Sequence, residues 1–411
     1  MTTSGPTRRV VMFDPGCFIP YYVDSLCRSL AALGVPVRVV TSPPLFESVE
    51  ADGSYGVDRF FFPFLRGAVR DAVRHRAGIR QALKGVSYPL GLVRTWRALR
   101  AGPPGVLHLQ WVPFPFFDRL LVRMLARRGW RVVYTEHDPL PTPARRARRR
   151  HHFEVLRLAD VVIVHTVQQR DELSASVPDV TDRIHVIAHG AARRAAPTVD
   201  ERARSRARLA VEPDRPLLLF FGLIKPYKGL EDLVAAMPAV VARHPRALLL
   251  VAGEPLMPLS ALARRIDALG LGGHVTMRFG FVPSAEVPTY FAAADLLVAP
   301  YVSIGASGVL VTAQEHGLPA VVTRVGGLPE FVEPDQCGFV VAPRSPSALA
   351  DAICRAFDDR EALARMGERA RRRVVRDHAW ADVAGRTLAV YDAPASAQGA
   401  PMRRDPTMSR R

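Results

Sequence analysis

Short apolar runs alternate with longer stretches of helical period along most of the chain, and Gly, Pro or Asp separates them. In the second half the rhythm is regular. Apolar runs at 217–222, 247–252, 274–280, 295–299, 320–323 and 338–341 predict strands, and stretches at 229–243, 259–269, 284–293, 308–316, 346–357 and 360–375 predict helices. The stretch "LLLFFGLIKPYKGLEDLVAAMPAVVARHPRALLLVAGE" (217–254) shows the unit: strand, loop, amphipathic helix, strand, or βαβ. The first half opens the same way. Val10 to Phe13 predicts a strand, "DPGCFIP" a loop containing Gly16, "YYVDSLCRSLAALG" a helix with a Gly stop, and "VPVRVVTS" the next strand.

Residues 43–60, rich in Pro, Gly and acids, predict a loop, and 60–101 a basic amphipathic segment with Arg66, Arg70 and Arg74 at helical spacing. "GVLHLQW" (105–111) and "RVVYTEHD" (131–138) predict buried strands around a helix at 117–128, and "ADVVIVHT" and "DRIHVIAHG" predict two more strands. Residues 191–215, poor in large apolar side chains, predict a link plus a surface helix; 379–392 predict a final helix and 393–411 a disordered tail. The expected fold class is α/β: two Rossmann-like domains with parallel sheets facing a central cleft. The expected division is 1–195, 196–375, a helical segment 376–392 returning to the N-terminal domain, and the tail from 393.

Composition narrows this picture. A chain of 411 residues exceeds one core, and its apolar fraction of 48% is ample for globular packing. No apolar run approaches the roughly 18 residues that span a bilayer, and "MTTSGPTRRVVMF" has no signal-type apolar region. Cys17, Cys27, Cys337 and Cys354 lack metal-type spacing, which predicts free thiols and a cytoplasmic setting. The net charge of +17 calls for an anionic partner, although a codon bias towards Arg, Ala and Pro accounts for part of it. Nucleic acid is not expected, since the arginines are dispersed and no recognition motif is present. An anionic substrate, or the anionic inner face of a membrane, fits better.

Of 56 basic residues only Lys84, Lys225 and Lys228 are lysine, and two of them share the loop that follows Gly222. An ammonium on a flexible stem is a point charge suited to a phosphate; a pair of solvated loop lysines is the competing reading. Two further loops should meet the same sheet edge. "PYVSIGASGVLVTAQEHG" (300–317) places Gly305, Ser307, Gly308 and Val309 at a helix start, where backbone N–H groups are free for an anion. "TRVGGLPEFV" (323–332) adds a Gly-Gly turn with Gly327, followed by Glu330. Two lysines and a helix tip form a coherent diphosphate site, with no metal expected because no Asp-x-Asp is present.

On these motifs the chain resembles the GT-B-fold glycosyltransferases of family 4, over about residues 8–392. "FGLIKPYKG" is similar to the family's "GRLxxxKG", with Lys228 on the family Lys, Leu223 where an Arg would stand, and Lys225 as a substitute charge. "PYVSIGASGVLVTAQEHGLPAV" resembles "PSxxEGFGLxxLEAMAxGxPV", with Ile304 and Thr312 at the two glutamate positions. The chain thus resembles the branch that lacks both acids; Glu315, three residues on, is not assigned their role. "VTRVGGLPEFV" is similar to "GGxPEhV", and the strand before "FVPS" implies that Phe281 and Val282 face the base. In the first half Gly16 and His137 match the family's glycine-rich loop and sugar-facing His. A strand-end His that caps a loop is the alternative for His137. His189–Gly190 stands where family members carry Asn–Gly, at the floor of the cleft or in the core. Only part of His108, Gln110 and Trp111 can face the cleft, by strand alternation.

The resemblance implies an acceptor-binding N-terminal domain, a nucleotide-sugar-binding C-terminal domain, and a retaining hexosyltransferase. The donor would be UDP- or GDP-linked, and no cofactor or metal is implied. The acceptor would be a hydroxyl of a surface polysaccharide or glycolipid, or of a small secondary metabolite such as an aminocyclitol. His137, Lys225 and Lys228 are the catalytic candidates. Gly16, Gly222, Phe281, Val282, Gly305, Ser307, Gly308, Val309, Gly327 and Glu330 join the lysines as donor-binding candidates. Competing functions on the same fold are a non-catalytic partner subunit and a sugar phosphorylase or epimerase. The Arg145–Arg150 cluster with His151 and His152, together with the basic 60–101 segment, adds an expected peripheral contact with an anionic membrane.

Overall fold

A computed structural model describes residues 8–44, 51–64, 77–137, 146–192, 194–334 and 336–393. Arg66, Arg70, Arg74, Arg145 and the tail from 394 lie outside the described residues. The chain divides into two compact units. The first is built from the described parts of 1–164, 170–187 and 384–411, the second from 165–169 and 188–383.

The first unit holds a seven-stranded parallel sheet. Its strands are β1 (Val10–Asp14), β2 (Val37–Thr41), β3 (Gly56–Arg59), β4 (Val106–Leu109), β5 (Arg131–Thr135), β6 (Val161–Val164) and β7 (Ile184–Val186), in the order β3-β2-β1-β4-β5-β6-β7. The helices are α1 (Pro20–Ala32), α2 (Ala77–Arg100), α3 (Pro115–Ala126), α4 (Arg146–Leu158) and α5 (Val167–Ser176), the last of which begins in the second unit. Chain order reverses between β1 and β4, the switch point at which open α/β sheets take ligands.

One expectation for this half is corrected. Residues 56–59 were expected in a loop and instead form β3. Its sequence, "GVDR", is polar because it is an edge strand, tied to β2 by paired backbone and by the Arg38–Asp58 ion pair (2.6 Å). Apolar periodicity does not register such a strand.

The second unit holds six parallel strands in the order β10-β9-β8-β11-β12-β13. They are β8 (Leu217–Phe221), β9 (Leu248–Gly253), β10 (Val275–Phe279), β11 (Leu296–Ala299), β12 (Ala320–Thr323) and β13 (Gly338–Val341). Leu217 and Leu219 enter one apolar core and Leu218 and Phe220 the other, so both sheet faces are covered and the strands read as unbroken apolar runs. The helices are α6 (Val199–Arg208), α7 (Leu230–Arg243), α8 (Ser260–Ala268), α9 (Val287–Ala293), α10 (Gly308–Glu315), α11 (Leu328–Phe331), α12 (Pro346–Asp358) and α13 (Arg360–Asp377). The final helix α14 (Trp380–Asp392) passes to the first unit at Ala384. There the Tyr391 hydroxyl hydrogen-bonds His108 Nδ1 (2.6 Å), whose Nε2 meets Thr135 Oγ1 (2.7 Å). His108 therefore braces the core of the first unit.

Helix α6 departs from a plain surface helix. A capping box between Thr198 and Glu201 starts it. Arg206 then lies 3% exposed and donates to the carbonyls of Ala293, Glu212, Pro213 and Arg215 and to Asp295 (2.7 Å). Asp295 also accepts from Arg202 and from Leu217 N (2.7 Å). A helix without large apolar residues packs here through one desolvated guanidinium. Replacing Arg206 with Ala leaves these acceptors unmatched and should lower the unfolding free energy of the second unit by about 3 kcal/mol. Urea titration checks this against Arg204→Ala, an exposed neighbour expected to shift stability by less than about 0.5 kcal/mol.

Candidate active site

In the second unit the chain order reverses between β8 and β11, and the loops leaving those two strands are in backbone contact. The first loop runs from Gly222 (φ +98°) through a short 3-10 turn, Pro226–Lys228, to Gly229 (φ +68°), which starts α7. A Cβ on Gly229 would lie 1.9 Å from Pro300 O, so only glycine lets the loops touch. Val302 N donates to Tyr227 O across the same contact (2.8 Å).

This contact encloses Lys228. Its side chain is buried, and its Nζ lies 3.5 Å from Phe221 O and 5.1 Å from the centre of the Tyr301 ring. A Cβ on Gly222 would stand 3.1 Å from that amine and 3.4 Å from Val309 Cγ2, so the lysine and the start of α10 converge on the bare backbone of Gly222. Burial alone brings the Lys228 pKa down to about 8. Ser307 is the buried N-cap of α10 and accepts from Leu310 N (3.4 Å); its side chain also meets the Tyr301 hydroxyl, which burial pushes up to about 12. With Leu310 N capped, Gly308 and Val309 contribute first-turn N–H groups that have no intrahelical partner.

The third loop is wired into the second. A Cβ on Gly326 (φ +48°) would fall 1.8 Å from Ile304 O, and Gly327 N donates to Gly305 O (3.0 Å). The Glu330 carboxylate receives the N–H groups of Val167 (2.8 Å) and Gln168 (2.7 Å), capping the start of α5. Phe281 and Val282 follow Gly280 (φ +119°), whose N–H donates to Gly253 O (3.2 Å). Both are half-buried, and Val282 packs on the apolar core. A Cβ on Gly253 would lie 2.1 Å from Gly222 O, so glycines join the ends of β8, β9 and β10.

The two lysines separate in placement. Lys225, half-buried, sits 5.6 Å over the Tyr227 ring, and Leu223 is exposed. At the positions matched to the family glutamates, Ile304 packs against the core and Thr312 Oγ1 donates to Gly308 O (3.0 Å). Glu315 is buried and accepts from Ala192 N (2.5 Å), and desolvation pushes it up to about 7. Tyr301 is the site residue that sequence reasoning missed; its signal was an aromatic residue placed directly after β11 and before the glycine loop. His189 is half-buried here, with Nδ1 on Gly190 O (2.8 Å) and Nε2 3.5 Å from where a Gly308 Cβ would be. Desolvation brings its pKa down to about 3, so the ring stays neutral beside the helix tip.

The first unit gathers a different set at its own switch point. His137, just past β5, exchanges a hydrogen bond with Gln110 Oε1 (2.8 Å), stacks on Trp111 (centroids 5.6 Å, interplanar 21°) and meets the Tyr22 ring edge-on (4.9 Å). Gln110 Nε2 points to Met12 Sδ (3.0 Å), so Oε1 is the acceptor and His137 Nε2 the donor. Gly16 lies in the loop after β1, where a Cβ would fall 2.0 Å from the Phe18 ring. Asp14, buried at the end of β1, collects the N–H groups of Phe18, Ile19, Gly16 and Cys17, and desolvation still pushes it up to about 6. Nearby a pocket opens at the ends of β1, β2 and β3, lined in part by Thr41, Ser42, Tyr55 and Arg59. Among the described residues no group of three or more His, Cys, Asp or Glu side chains is set to hold a metal.

A pair of Rossmann-type units, one offering a buried cation and a helix tip and the other a polar-aromatic cluster, defines a class, and comparison with known proteins places the chain in it. Residues 201–373 match the family of group 1 glycosyl transferases, and residues 19–190 match the glycosyl transferase 4-like domain. A D-inositol 3-phosphate glycosyltransferase of Corynebacterium glutamicum is 31% identical over 289 residues, 66% of this chain and 69% of the relative. That of Streptomyces avermitilis is 30% identical over 399 residues, covering 90% and 82%. Among solved structures, sucrose-phosphate synthase from Thermosynechococcus elongatus superposes with a TM-score of 0.73 at 24% identity over 93% of this chain and 98% of that one. Anabaena HepE in complex with UDP-glucose gives 0.71 at 18% identity over 93% and 98%. The chain belongs to the group 1 glycosyltransferases, and its fold is GT-B.

Lys228 should leave a signature in stability. Unfolded, the lysine titrates near 10.5; folded, at about 8. Between those values the unfolded chain binds the additional proton, so this group makes stability rise with pH, by up to about 3 kcal/mol from about pH 8 to about pH 10.5. Lys228→Met should abolish that rise and be the more stable protein at pH 7. Chemical unfolding of both proteins across the pH range checks it.

Proposed function

We propose that this glycosyltransferase moves a hexosyl group from a nucleoside diphosphate sugar, UDP- or GDP-linked, to an acceptor hydroxyl with retention at the anomeric carbon. The observation that carries the reading is the buried Lys228 amine beside Gly222 and the Ser307-capped start of α10. An ammonium held at this cost in free energy is stabilised by a dianion, which raises its pKa again and gains from the low dielectric around it. As the bond from the anomeric carbon to the leaving phosphate breaks, negative charge grows on that oxygen. Lys228 and the N–H groups of Gly308 and Val309 are preorganised to receive it. Lys225 supplies longer-range positive charge from the rim of the same loop. The leaving phosphate oxygen takes the acceptor proton on the same face, in a front-face displacement. A UDP-linked donor is favoured by solved neighbours in complex with UDP or UDP-glucose.

For the acceptor, curated relatives named D-inositol 3-phosphate glycosyltransferases favour a phosphorylated cyclitol over a growing glycan. An anionic acceptor also suits the net charge of +17. A surface polysaccharide or glycolipid is the second reading. With UDP-sugars, Lys228→Met should lower kcat by about 10²–10³-fold, the usual effect of deleting one preorganised donor to a leaving group, and Lys225→Met by less. Single-turnover assays read the chemical step, and calorimetry with UDP and GDP reads binding. Turnover untouched in the double Lys225→Met/Lys228→Met variant would exclude this mechanism, and absent nucleotide binding by the unmodified chain would favour a non-catalytic subunit.

A further inference from the structure

Helices α2, α3 and α4 of the first unit lie side by side, joined by a buried Tyr88–Asp118 hydrogen bond and by the Arg119–Glu154 ion pair (2.5 Å). Each turns one face to the core. Helix α2 buries Tyr88, Leu92, Thr95 and Leu99, and α3 buries Leu121, Val122 and Leu125. Both also carry a second apolar stripe that faces solvent. On α2 it comprises Leu83, Val86 (81% exposed), Leu90 (60%) and Val93, at spacings of three and four residues. On α3 it comprises Phe116, Leu120 and Met124, four residues apart. A helix that is apolar on both sides at a protein surface has a partner for the outer side.

Charge identifies that partner. The acids of these helices are Asp118, which is buried, and Glu154, which is ion-paired with Arg119. Their outer faces carry Arg94, Arg97, Arg123, Arg148 and Arg150, all exposed. A second copy of this chain would bring the same cations against them. An anionic bilayer instead complements the charge while its acyl boundary takes the leucines, valines and phenylalanine.

We propose that the face formed by α2, α3 and α4 seats the first unit on an anionic lipid surface. Among the described residues no helix is long and apolar enough to cross a membrane, so the contact is peripheral. The test is cosedimentation of the full chain with vesicles of phosphatidylglycerol and phosphatidylcholine, against phosphatidylcholine alone. At about 0.1 M salt the protein should sediment with the anionic vesicles only, and the binding should fall away near 1 M salt. Val86→Glu with Leu90→Glu should weaken binding at least tenfold, and Arg97→Gln with Arg123→Gln about thirtyfold, at about 1 kcal/mol per arginine. Melting temperatures should stay unchanged, since all four side chains are exposed. Equal binding to neutral vesicles, no binding to anionic ones, or unaltered binding by the Val86/Leu90 variant overturns the proposal. So does a dimer in light scattering that the same variant dissociates, which would assign the face to a second copy.

Discussion

A lysine amine held out of water at the end of a parallel sheet is the constraint around which the second unit is arranged. Desolvation brings Lys228 down to about 8, and its amine lies beside Phe221 O, the Tyr301 face and the bare Cα of Gly222. Every close approach there depends on a glycine. Gly229 lets its loop rest on Pro300 O, Gly326 rests on Ile304 O, and Gly253 rests on Gly222 O, at distances that forbid a side chain. The loops form one braced rim, and the rim holds the cation where the start of α10 adds its dipole.

The first unit meets the same topological situation with different chemistry. At the ends of β1, β4 and β5 it places a hydrogen-bonded ladder of Met12, Gln110 and His137, flanked by the rings of Trp111 and Tyr22. Asp14 spends its carboxylate on the loop that contains Gly16. Aromatic planes and a fixed polar chain thus stand side by side at this sheet edge.

Arginine does structural work that its abundance in the sequence conceals. Arg206 gathers four carbonyls and Asp295 under α6, and Arg373 donates to the carbonyls of Glu330 and Phe331 beneath the third loop. Its planar fork satisfies several fixed acceptors at once, which an ammonium cannot. With arginine so used, the scarce lysines stand out, and two of them lie in one loop.

What the amino-acid order determined by itself was the alternation of strands and helices in the second unit, the two-unit α/β architecture and the loops that carry Lys225, Lys228 and Ser307. Long apolar runs and glycine punctuation are local signals, and strands buried on both faces report them cleanly. The polar edge strand β3 was not legible, because its stability comes from backbone pairing and the Arg38–Asp58 pair rather than from burial. Only the tertiary structure distinguished the two lysines, sending Lys228 inward beside Gly222 and leaving Lys225 on Tyr227. It alone tied Glu315 to Ala192 N and Glu330 to the start of α5, and brought Tyr301 to the amine. The physical reason is common to all of these: the role of a charged side chain is decided by which distant backbone groups desolvate it or bond to it. That information arises only when residues far apart in the chain are packed together.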